Sequence, residues 1–371
     1  MKVYLIEGVI IVILLIPLLV DVYVNTLKWM SRIKIGRWED INLWGNNIGK
    51  VCRKWSGKTP TVKITDNNRG IIWDIIKGKY RSQNIQSWQK GQLLLATRDN
   101  RKIKSLIDEK TGDWIEKPKE IDSAFLAYAI LGISKNPDNI KPAMDTIHTL
   151  IFDRVEDNDG CISYRKKDYY IRYVDTVGLV CPFLALYGTI YHDDESVVLA
   201  KHQLEEYYRY GIWKESGLFA HAVNIKSGLP LGNIGWGRGC GWYLLGLIET
   251  AIILNENNLW KKVYYLAEKY KDYQNTDGSY CSNLATGGNK DSSITAIMAY
   301  YYIVCAKYFS KEDYKGIAEK SVYYLMSVTR RNGIIDFSQG DTKGIGNYSI
   351  CYDQMPFTQG IAYRAYQLLK E

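Results

Sequence analysis

The sequence is poor in the residues that build metal sites and disulfide frameworks. It has only four histidines in 371 residues, and no two of them are spaced four residues apart, as paired helical metal ligands would be. Seven cysteines are present, an odd number, and none forms a CxxC pair. This pattern argues against a structural zinc site and a disulfide scaffold, and it favours a reducing compartment. The sequence predicts neither a metal nor an organic cofactor.

The sequence also lacks a strong charge imbalance. Its net charge is +8, the basic residues are spread along the chain, and no nucleic-acid motif accompanies them. A mildly basic chain favours an anionic substrate or an anionic membrane surface, although a solvated surface of mixed charge explains it equally well. Aromatic residues are plentiful, with 30 Tyr and 11 Trp. Their rings either pack a core or stack on sugars, and composition alone does not decide between these roles.

One long hydrophobic run lies at the N-terminus, in residues 3–24. The uninterrupted part runs from Gly8 to Val20, and counting through Glu7 and Asp21 makes it long enough to cross a bilayer. No small-residue cleavage site follows, so we expect an uncleaved membrane anchor, with a buried or interfacial helix as the alternative. More basic residues follow the run than precede it, which predicts a cytoplasmic main domain. We therefore divide the chain into an anchor, residues 1–34, and a main domain, residues 35–371.

One short pattern recurs in the main domain. A glycine in a polar turn follows an amphipathic stretch and precedes, after a loop, a more uniformly apolar stretch. The glycines are Gly112, Gly160, Gly217, Gly278 and Gly333. A helix that is apolar all round is buried and a one-sided helix covers it, so the alternation predicts stacked helical hairpins.

Two further segments complete about six hairpins. One is a hairpin near residues 84–109, whose second helix is charged, and the other is a closing helix near residues 356–370. No alternating pattern long enough for a useful β-strand competes with this interpretation. The predicted fold is therefore all-α, an (α/α)6 barrel with an N-terminal hydrophobic helix.

In such a ring, the loops that lead into the inner helices meet at one end, so we expect the functional site to be formed by polar residues in these loops. We expect the following side chains at this end: Trp88, Asp122, Asp175, His221, Trp236, Arg238 and Trp242. Two carboxyl groups in different environments can perform acid–base chemistry on a sugar. A guanidinium group can bind a sugar carboxylate, and indole rings can stack on a sugar face.

Each polar candidate also has a structural alternative. Asp122 and Asp175 lie where helices begin, and Asp is a common N-cap residue. Arg238 could pair only with Asp175 or a helix end, and His221, in an apolar FAHAV run, could be a satisfied core histidine. Cys240 could be a nucleophile, but no partner histidine adjoins it, and the glycines on either side suggest close helix packing instead.

Three segments resemble glycoside hydrolase families 88 and 105, the unsaturated glucuronyl and rhamnogalacturonyl hydrolases. They are DTVGLVCPFLALYG (175–188), GLFAHA (217–222) and WGRGCGW (236–242). The resemblance spans residues 80–370 and implies an (α/α)6 barrel that hydrates the 4,5 double bond of an unsaturated uronyl oligosaccharide, releasing the neighbouring sugar. The family often has Asn where this chain has Cys240.

The resemblance also implies roles for single residues. Asp175 corresponds to the proton donor and Asp122 to the assisting carboxylate. The residues expected to contact the substrate are His221, Trp236, Arg238, Trp242 and Trp88. The expected partner is an acidic oligosaccharide. Two other functions stay open: an inverting glycosidase on the same barrel, and a catalytically silent, membrane-tethered glycan-binding protein.

Overall fold

Helices dominate the structure, a computed structural model that describes residues 2–82 and 86–371. The α-helices, in chain order, are α1 (Lys2–Ser31), α2 (Ile41–Gly57), α3 (Ile71–Ile76), α4 (Gln86–Thr97), α5 (Ser123–Ile133), α6 (Lys141–Phe152), α7 (Val174–Tyr191), α8 (Asp194–Gly211), α9 (Gly237–Leu254), α10 (Asn257–Tyr270), α11 (Ser292–Phe309), α12 (Glu312–Ser327) and α13 (Pro356–Lys370).

Six of these helices form a closed inner ring. α4, α5, α7, α9, α11 and α13 contact one another in that order, and α13 contacts α4 to close the circle. α2, α6, α8, α10 and α12 pack around the outside. The predicted all-α (α/α)6 barrel with an N-terminal apolar helix is therefore confirmed. The charged helix expected after α4 is only a 3₁₀ helix, Asn100–Ser105, and none of its residues is buried.

Burial follows the predicted alternation of helix types. Apolar residues surround α9 and α11, so nearly every position of these inner helices is buried, whereas α8 and α10 bury a single face. Small residues let the inner helices approach each other. A Cβ added at Gly178 of α7 would lie 2.6 Å from the Trp242 carbonyl oxygen, and one at Gly246 of α9 would lie 2.6 Å from that of Val177.

The five repeated glycines all lie in tight turns with positive φ. Their φ angles range from 65° at Gly160 to 87° at Gly278, a region that glycine adopts without steric cost. A Cβ at Gly278 would also lie 2.1 Å from the Lys320 carbonyl oxygen. The sequence prediction that these positions are turns between helices is confirmed.

Short antiparallel strands lie in the connections between the helices, and the sequence analysis did not predict them. They are β1 (Val62–Lys63), β2 (Arg81–Ser82), β3 (Ile171–Tyr173), β4 (Ile212–Trp213), β5 (Leu218–Asn224), β6 (Leu229–Ile234), β7 (Cys281–Asn283), β8 (Gly287–Lys290), β9 (Ser338–Gln339) and β10 (Tyr352–Asp353). β5 pairs with β3, β4 and β6. Because six of its seven residues are buried, β5 shows no alternating pattern in the sequence.

The N-terminal helix α1 has a free part and a docked part. Its apolar window has a mean hydropathy of 2.5 and is 0% buried, so α1 is long and apolar enough to cross a membrane, although a signal sequence would pass the same test. α7 passes it too, but 72% of its residues are buried in the barrel. At its C-terminal end, α1 docks on the barrel because Arg32 donates two hydrogen bonds to Asp336, at 2.8 and 2.9 Å.

Candidate active site

A cleft of about 920 Å³ opens at the end of the ring where α4, α5 and α7 begin. The first residues of these helices contribute Ser87, Asp122, Ser123 and Asp175 to its wall. Strand β5 adds His221, and the loop between α12 and α13 adds Asp341. Of the polar residues expected at this end of the barrel, Asp122, Asp175 and His221 line the cleft, whereas Arg238 does not.

Asp175 points into the cleft from the first turn of α7. Its side chain is 19% exposed, and its Oδ2 has no hydrogen-bond partner among the described residues. Removal from bulk water raises the pKa of this carboxyl to about 6, although Arg238 and Arg165 pull it down. The N-cap position belongs to Tyr173, so Asp175 does not cap its helix. An unpaired carboxyl with a raised pKa can hold a proton for transfer.

Asp122 faces the same cleft from the start of α5. It occupies the N-cap position, yet its side chain makes no capping hydrogen bond. Burial raises the pKa of Asp122 to about 7, and the negative charges of Asp175 and Asp341 add to this rise, whereas a hydrogen bond with Tyr164 opposes it. Neither Asp122 nor Asp175 therefore caps a helix through its side chain, which was the structural alternative for both residues.

Asp341 is a third carboxyl group in the cleft, and the sequence analysis missed it. Burial raises its pKa to about 6; the charge of Asp175 raises it further and that of Arg238 lowers it. Asp341 lies in a loop rather than at a helix start, so a search of helix starts could not find it. The only signal in the sequence is the polar QGDTKG run around it. Three neighbouring carboxyls resist full ionisation, so the group retains protons near neutral pH.

His221 lies beside Asp175 and is held in one orientation. Its Nε2 is 3.6 Å from Asp175 Oδ2, and its Nδ1 is 3.0 Å from the Tyr348 hydroxyl. That hydroxyl oxygen accepts hydrogen bonds from the Asn233 and Gly346 amides, so its own proton is available for Nδ1. The ring hydrogen then lies on Nε2, facing Asp175. Burial, with a smaller effect of Arg238, lowers the pKa of His221 to about 4, so the ring is neutral at neutral pH.

Arg238 lies behind the cleft and is 2% exposed. Its Nη1 donates to the Gln339 carbonyl at 2.6 Å, and its Nη2 donates to the Gly340 carbonyl at 2.7 Å. These bonds fix the backbone immediately before Asp341. The positive charge also lowers the pKa of Asp175 and Asp341. A contact between Arg238 and a sugar carboxylate stays a prediction.

The three predicted tryptophans are buried beneath the cleft. Trp236 packs against His221, with ring centroids 4.6 Å apart, and its Nε1 donates to Gln339. Trp88 and Trp242 make an edge contact at 5.3 Å, and both contact Phe357. None of the three is more than 5% exposed, so in this structure they pack beneath the site. Their stacking on a sugar stays a prediction.

Cys240 does not line the cleft. Its side chain is buried, its Sγ lies 3.9 Å from the Phe219 carbonyl oxygen, and burial raises the pKa of the thiol to about 11. A protonated, buried thiol is a poor nucleophile. The neighbouring glycines serve packing, since a Cβ at Gly239 would lie 2.3 Å from the Trp236 ring and one at Gly241 would lie 2.5 Å from Ile297. The exchange of Asn for Cys240 therefore changes the barrel interior, not the cleft wall.

Basic side chains surround the carboxyl groups. The basic rim consists of Lys119, Arg154, Arg165, Lys166 and Lys167, all of which line the cleft. Within residues 2–82 and 86–371, no group of three or more His, Cys, Asp or Glu side chains is arranged to hold a metal ion. A cleft lined both by carboxyls with raised pKa values and by cations suits proton transfer to an anionic substrate.

One family model matches most of the chain, and several solved structures share its fold. The family model for Glycosyl Hydrolase Family 88 matches residues 47–366. No curated protein sequence matches the chain. Among solved structures, a possible member of family GH105 from Salmonella enterica serovar Paratyphi A superposes with a TM-score of 0.73 at 16% identity, covering 89% of this chain and 94% of that one.

Two further solved structures share the fold. An unsaturated glucuronyl hydrolase from Bacillus sp. GL1, described as responsible for the degradation of glycosaminoglycan, has a TM-score of 0.62 at 16% identity, covering 92% of this chain and 97% of its own. A family 88 glycosyl hydrolase from Bacteroides vulgatus has a TM-score of 0.61 at 14% identity, covering 89% of this chain and 99% of its own. At these identities the likeness concerns the fold.

Proposed function

The chain belongs to Glycosyl Hydrolase Family 88, and from that premise we propose that it hydrates the 4,5 double bond of an unsaturated uronyl oligosaccharide. One observation carries the proposal: Asp175, whose pKa is raised to about 6, lines the cleft beside two other carboxyls, and its buried Oδ2 has no hydrogen-bond partner among the described residues. The name of the similar Bacillus sp. GL1 structure, an unsaturated glucuronyl hydrolase, points to the same class of substrate.

The first step is protonation of the sugar. Protonated Asp175 gives its proton to C4, and the electron pair of the C4–C5 double bond forms the new C4–H bond. Positive charge develops at C5 and is shared with the ring oxygen. The three carboxyls share protons near neutral pH, because the pKa of Asp122 is raised to about 7 and that of Asp341 to about 6, and whichever neighbour of Asp175 is ionised stabilises the positive charge.

The second step is addition of water. A water molecule attacks C5 and gives one proton to a carboxylate of the cleft, which restores the proton that Asp175 donated. The product at C5 is a hemiketal. It opens by breaking the bond between C5 and the ring oxygen, and the hemiacetal formed at C1 then releases the neighbouring sugar. The sum is the addition of one water molecule, so the enzyme is unchanged.

Neutral His221 prepares Asp175 for this cycle. Its Nε2–H faces Asp175 Oδ2 at 3.6 Å without a fixed hydrogen bond. A neutral ring does not stabilise the carboxylate as an imidazolium would, so the pKa of Asp175 stays in the range that suits proton donation. The Tyr348 hydroxyl at Nδ1 keeps the ring in this tautomer.

The basic rim selects the substrate. Its five cations line the cleft, and an unsaturated uronyl sugar carries a carboxylate at C5. Arg165 immediately precedes, and Lys166 and Lys167 begin, a short 3₁₀ helix before β3, where they can approach a carboxylate from solvent. The proposed substrate is therefore an acidic oligosaccharide rather than a neutral one.

We also propose that α1 anchors the enzyme in a membrane. Its apolar window is wholly exposed, whereas its C-terminal end is bound to the barrel through Arg32 and Asp336 and through Lys28 and Asp353, 3.3 Å apart. Asp336 is fully buried, and one of its two arginine partners is Arg32, the residue directly after α1, so cleavage beyond that residue would take this partner away. Such docking favours a retained helix.

The test of the reaction compares unsaturated and saturated substrates. Purified full-length enzyme is incubated with unsaturated glucuronyl and galacturonyl disaccharides, and the ultraviolet absorbance of the conjugated double bond is followed. We expect absorbance to fall, and Asp175→Asn to abolish the fall. Asp194→Asn, the same change in the first turn of outer helix α8, is the matched control and should act as wild type.

Other outcomes would point to the alternatives. Cleavage of the saturated glycoside as fast as the unsaturated one would identify an inverting glycosidase instead. Calorimetric binding of acidic disaccharides without turnover would identify a silent glycan-binding protein.

A further inference from the structure

A short apolar helix protrudes from the segment before the inner ring. Helix α3 buries Ile71, which is 1% exposed, but Trp73, Ile75 and Ile76 are 55%, 49% and 68% exposed. Trp73 and Ile76, three residues apart, share one face of the helix, and Ile75 lies on the adjoining side. Exposed apolar patches of this kind on a folded surface mark contact sites for proteins or membranes.

Helix α3 is fastened to the anchor helix. The carboxylate of Asp21 in α1 accepts hydrogen bonds from the backbone amides of Gly70, at 2.7 Å, and Ile71, at 2.9 Å. Asn25, one turn later in α1, donates to the Asn68 carbonyl at 3.1 Å. These bonds explain an acidic residue at the end of an apolar run, because Asp21 caps α3. They also fix the height of α3 along α1.

That height coincides with the edge of a bilayer. An α-helix rises about 1.5 Å per residue, and a hydrocarbon core is about 30 Å thick, so a spanning helix needs about 20 residues. A span that starts at Tyr4, just after Lys2, ends at Tyr23. Asp21 lies within the last turn of this span, so the helix it caps lies where hydrocarbon meets headgroups.

The charge around α3 suits anionic headgroups. Residues 58–82 contain six basic and two acidic residues, a net charge of +4. Both acids already have partners, since Asp66 pairs with Lys343 and Asp74 accepts from Thr65. Lys77 and Lys79, directly after the apolar patch, are exposed. Apolar residues bordered by lysines are the pattern of helices that lie in a membrane interface.

We propose that α3 is a membrane-contact element, which inserts Trp73, Ile75 and Ile76 into the interface of a bilayer with anionic headgroups while Lys77 and Lys79 bind those headgroups. The inference rests on the proposed anchoring by α1. A second contact beside the spanning helix sets the tilt of the barrel on the membrane, which a single helix cannot do.

The experiment measures where Trp73 lies. Full-length protein is reconstituted in phosphatidylcholine–phosphatidylglycerol vesicles with or without brominated acyl chains, which quench only tryptophans in the bilayer. Aqueous iodide quenches only exposed ones. Wild type is compared with Trp73→Phe and, as a matched control, with Trp213→Phe, which removes a 47% exposed tryptophan of β4. Flotation of the vesicles first shows whether the chain is anchored.

We expect the fluorescence contributed by Trp73 to be lost in brominated vesicles and protected from iodide, and the contribution of Trp213 to show the reverse. The Trp73 quenching should weaken in vesicles of phosphatidylcholine alone. Failure to float would refute the anchoring by α1. Flotation with Trp73 quenched by iodide, and not by bromine, would refute the role of α3. Protection of Trp73 from both quenchers would overturn it in favour of contact with a second copy of the chain.

Discussion

Replacing Asp175 by Asn should separate activity from stability in a way that a structural role would not. The side chain is 19% exposed, and its pKa rises from 3.8 to about 6 on folding. Asn keeps the shape but cannot donate the proton. Loss of a general acid costs about 10²–10⁴ in rate, equivalent to roughly 3–5 kcal/mol of transition-state stabilisation.

The same rise in pKa predicts that Asp175→Asn is more stable relative to wild type at high pH than at low pH. This rise in the pKa of Asp175 corresponds to at most ~3 kcal/mol in the free energy of unfolding. Because the native carboxyl binds its proton more tightly than the unfolded one, wild-type stability falls as pH rises from about 4 to 6. Above that range Asp175 is ionised, and the whole loss of stability that comes from burying its charge is present. Asp175→Asn removes this cost, whereas any cost of the new amide is independent of pH.

The assay is denaturant unfolding at pH 5 and pH 8, with turnover measured at both. The variant should be inactive, and its stability should fall less than that of wild type between the two pH values. Asp194→Asn, at an exposed first-turn position, should show the wild-type pH dependence and full activity. An inactive variant that is destabilised equally at both pH values would refute the reasoning and mark Asp175 as structural.

Three further perturbations test the rest of the site. The kcat/KM of wild type should fall near pH 6–7, where Asp175 and Asp122 lose their protons. Asp341→Asn should move this fall to lower pH, because removing the negative charge of Asp341 lowers the pKa of Asp122. An unchanged pH profile would contradict this coupling. Arg238→Lys should lower kcat/KM up to about 100-fold, because one ammonium cannot serve both carbonyls that position Asp341. A greater loss for acidic than for neutral sugars would show direct contact with a sugar carboxylate, equal loss would show support of the loop alone, and unchanged kcat/KM would contradict both roles. Tyr348→Phe should remove the hydrogen bond to His221 Nδ1, lower the free energy of unfolding by about 1 kcal/mol and reduce kcat. A variant with full activity would contradict the role of Tyr348 in orienting His221.

Local patterns in the sequence were enough to predict the architecture. Helix periodicity depends on local spacing, so the alternation of one-sided and uniformly apolar stretches predicted the ring, and the five glycines marked turns that need positive φ. Helix starts also predicted Asp122 and Asp175, because a ring brings the starts of its inner helices to one end.

Which groups share an environment depends on how distant segments of the chain pack together. Asp341 comes from a loop without periodicity, and its raised pKa depends on Asp175, distant in the chain. The predicted tryptophans lie beneath the cleft because they pack against side chains from other helices. Asp21 looked like an interruption of an apolar run, yet it caps a helix 50 residues away. Burial, charge proximity and hydrogen bonding between distant segments are properties of the packed chain, so no local pattern could reveal them.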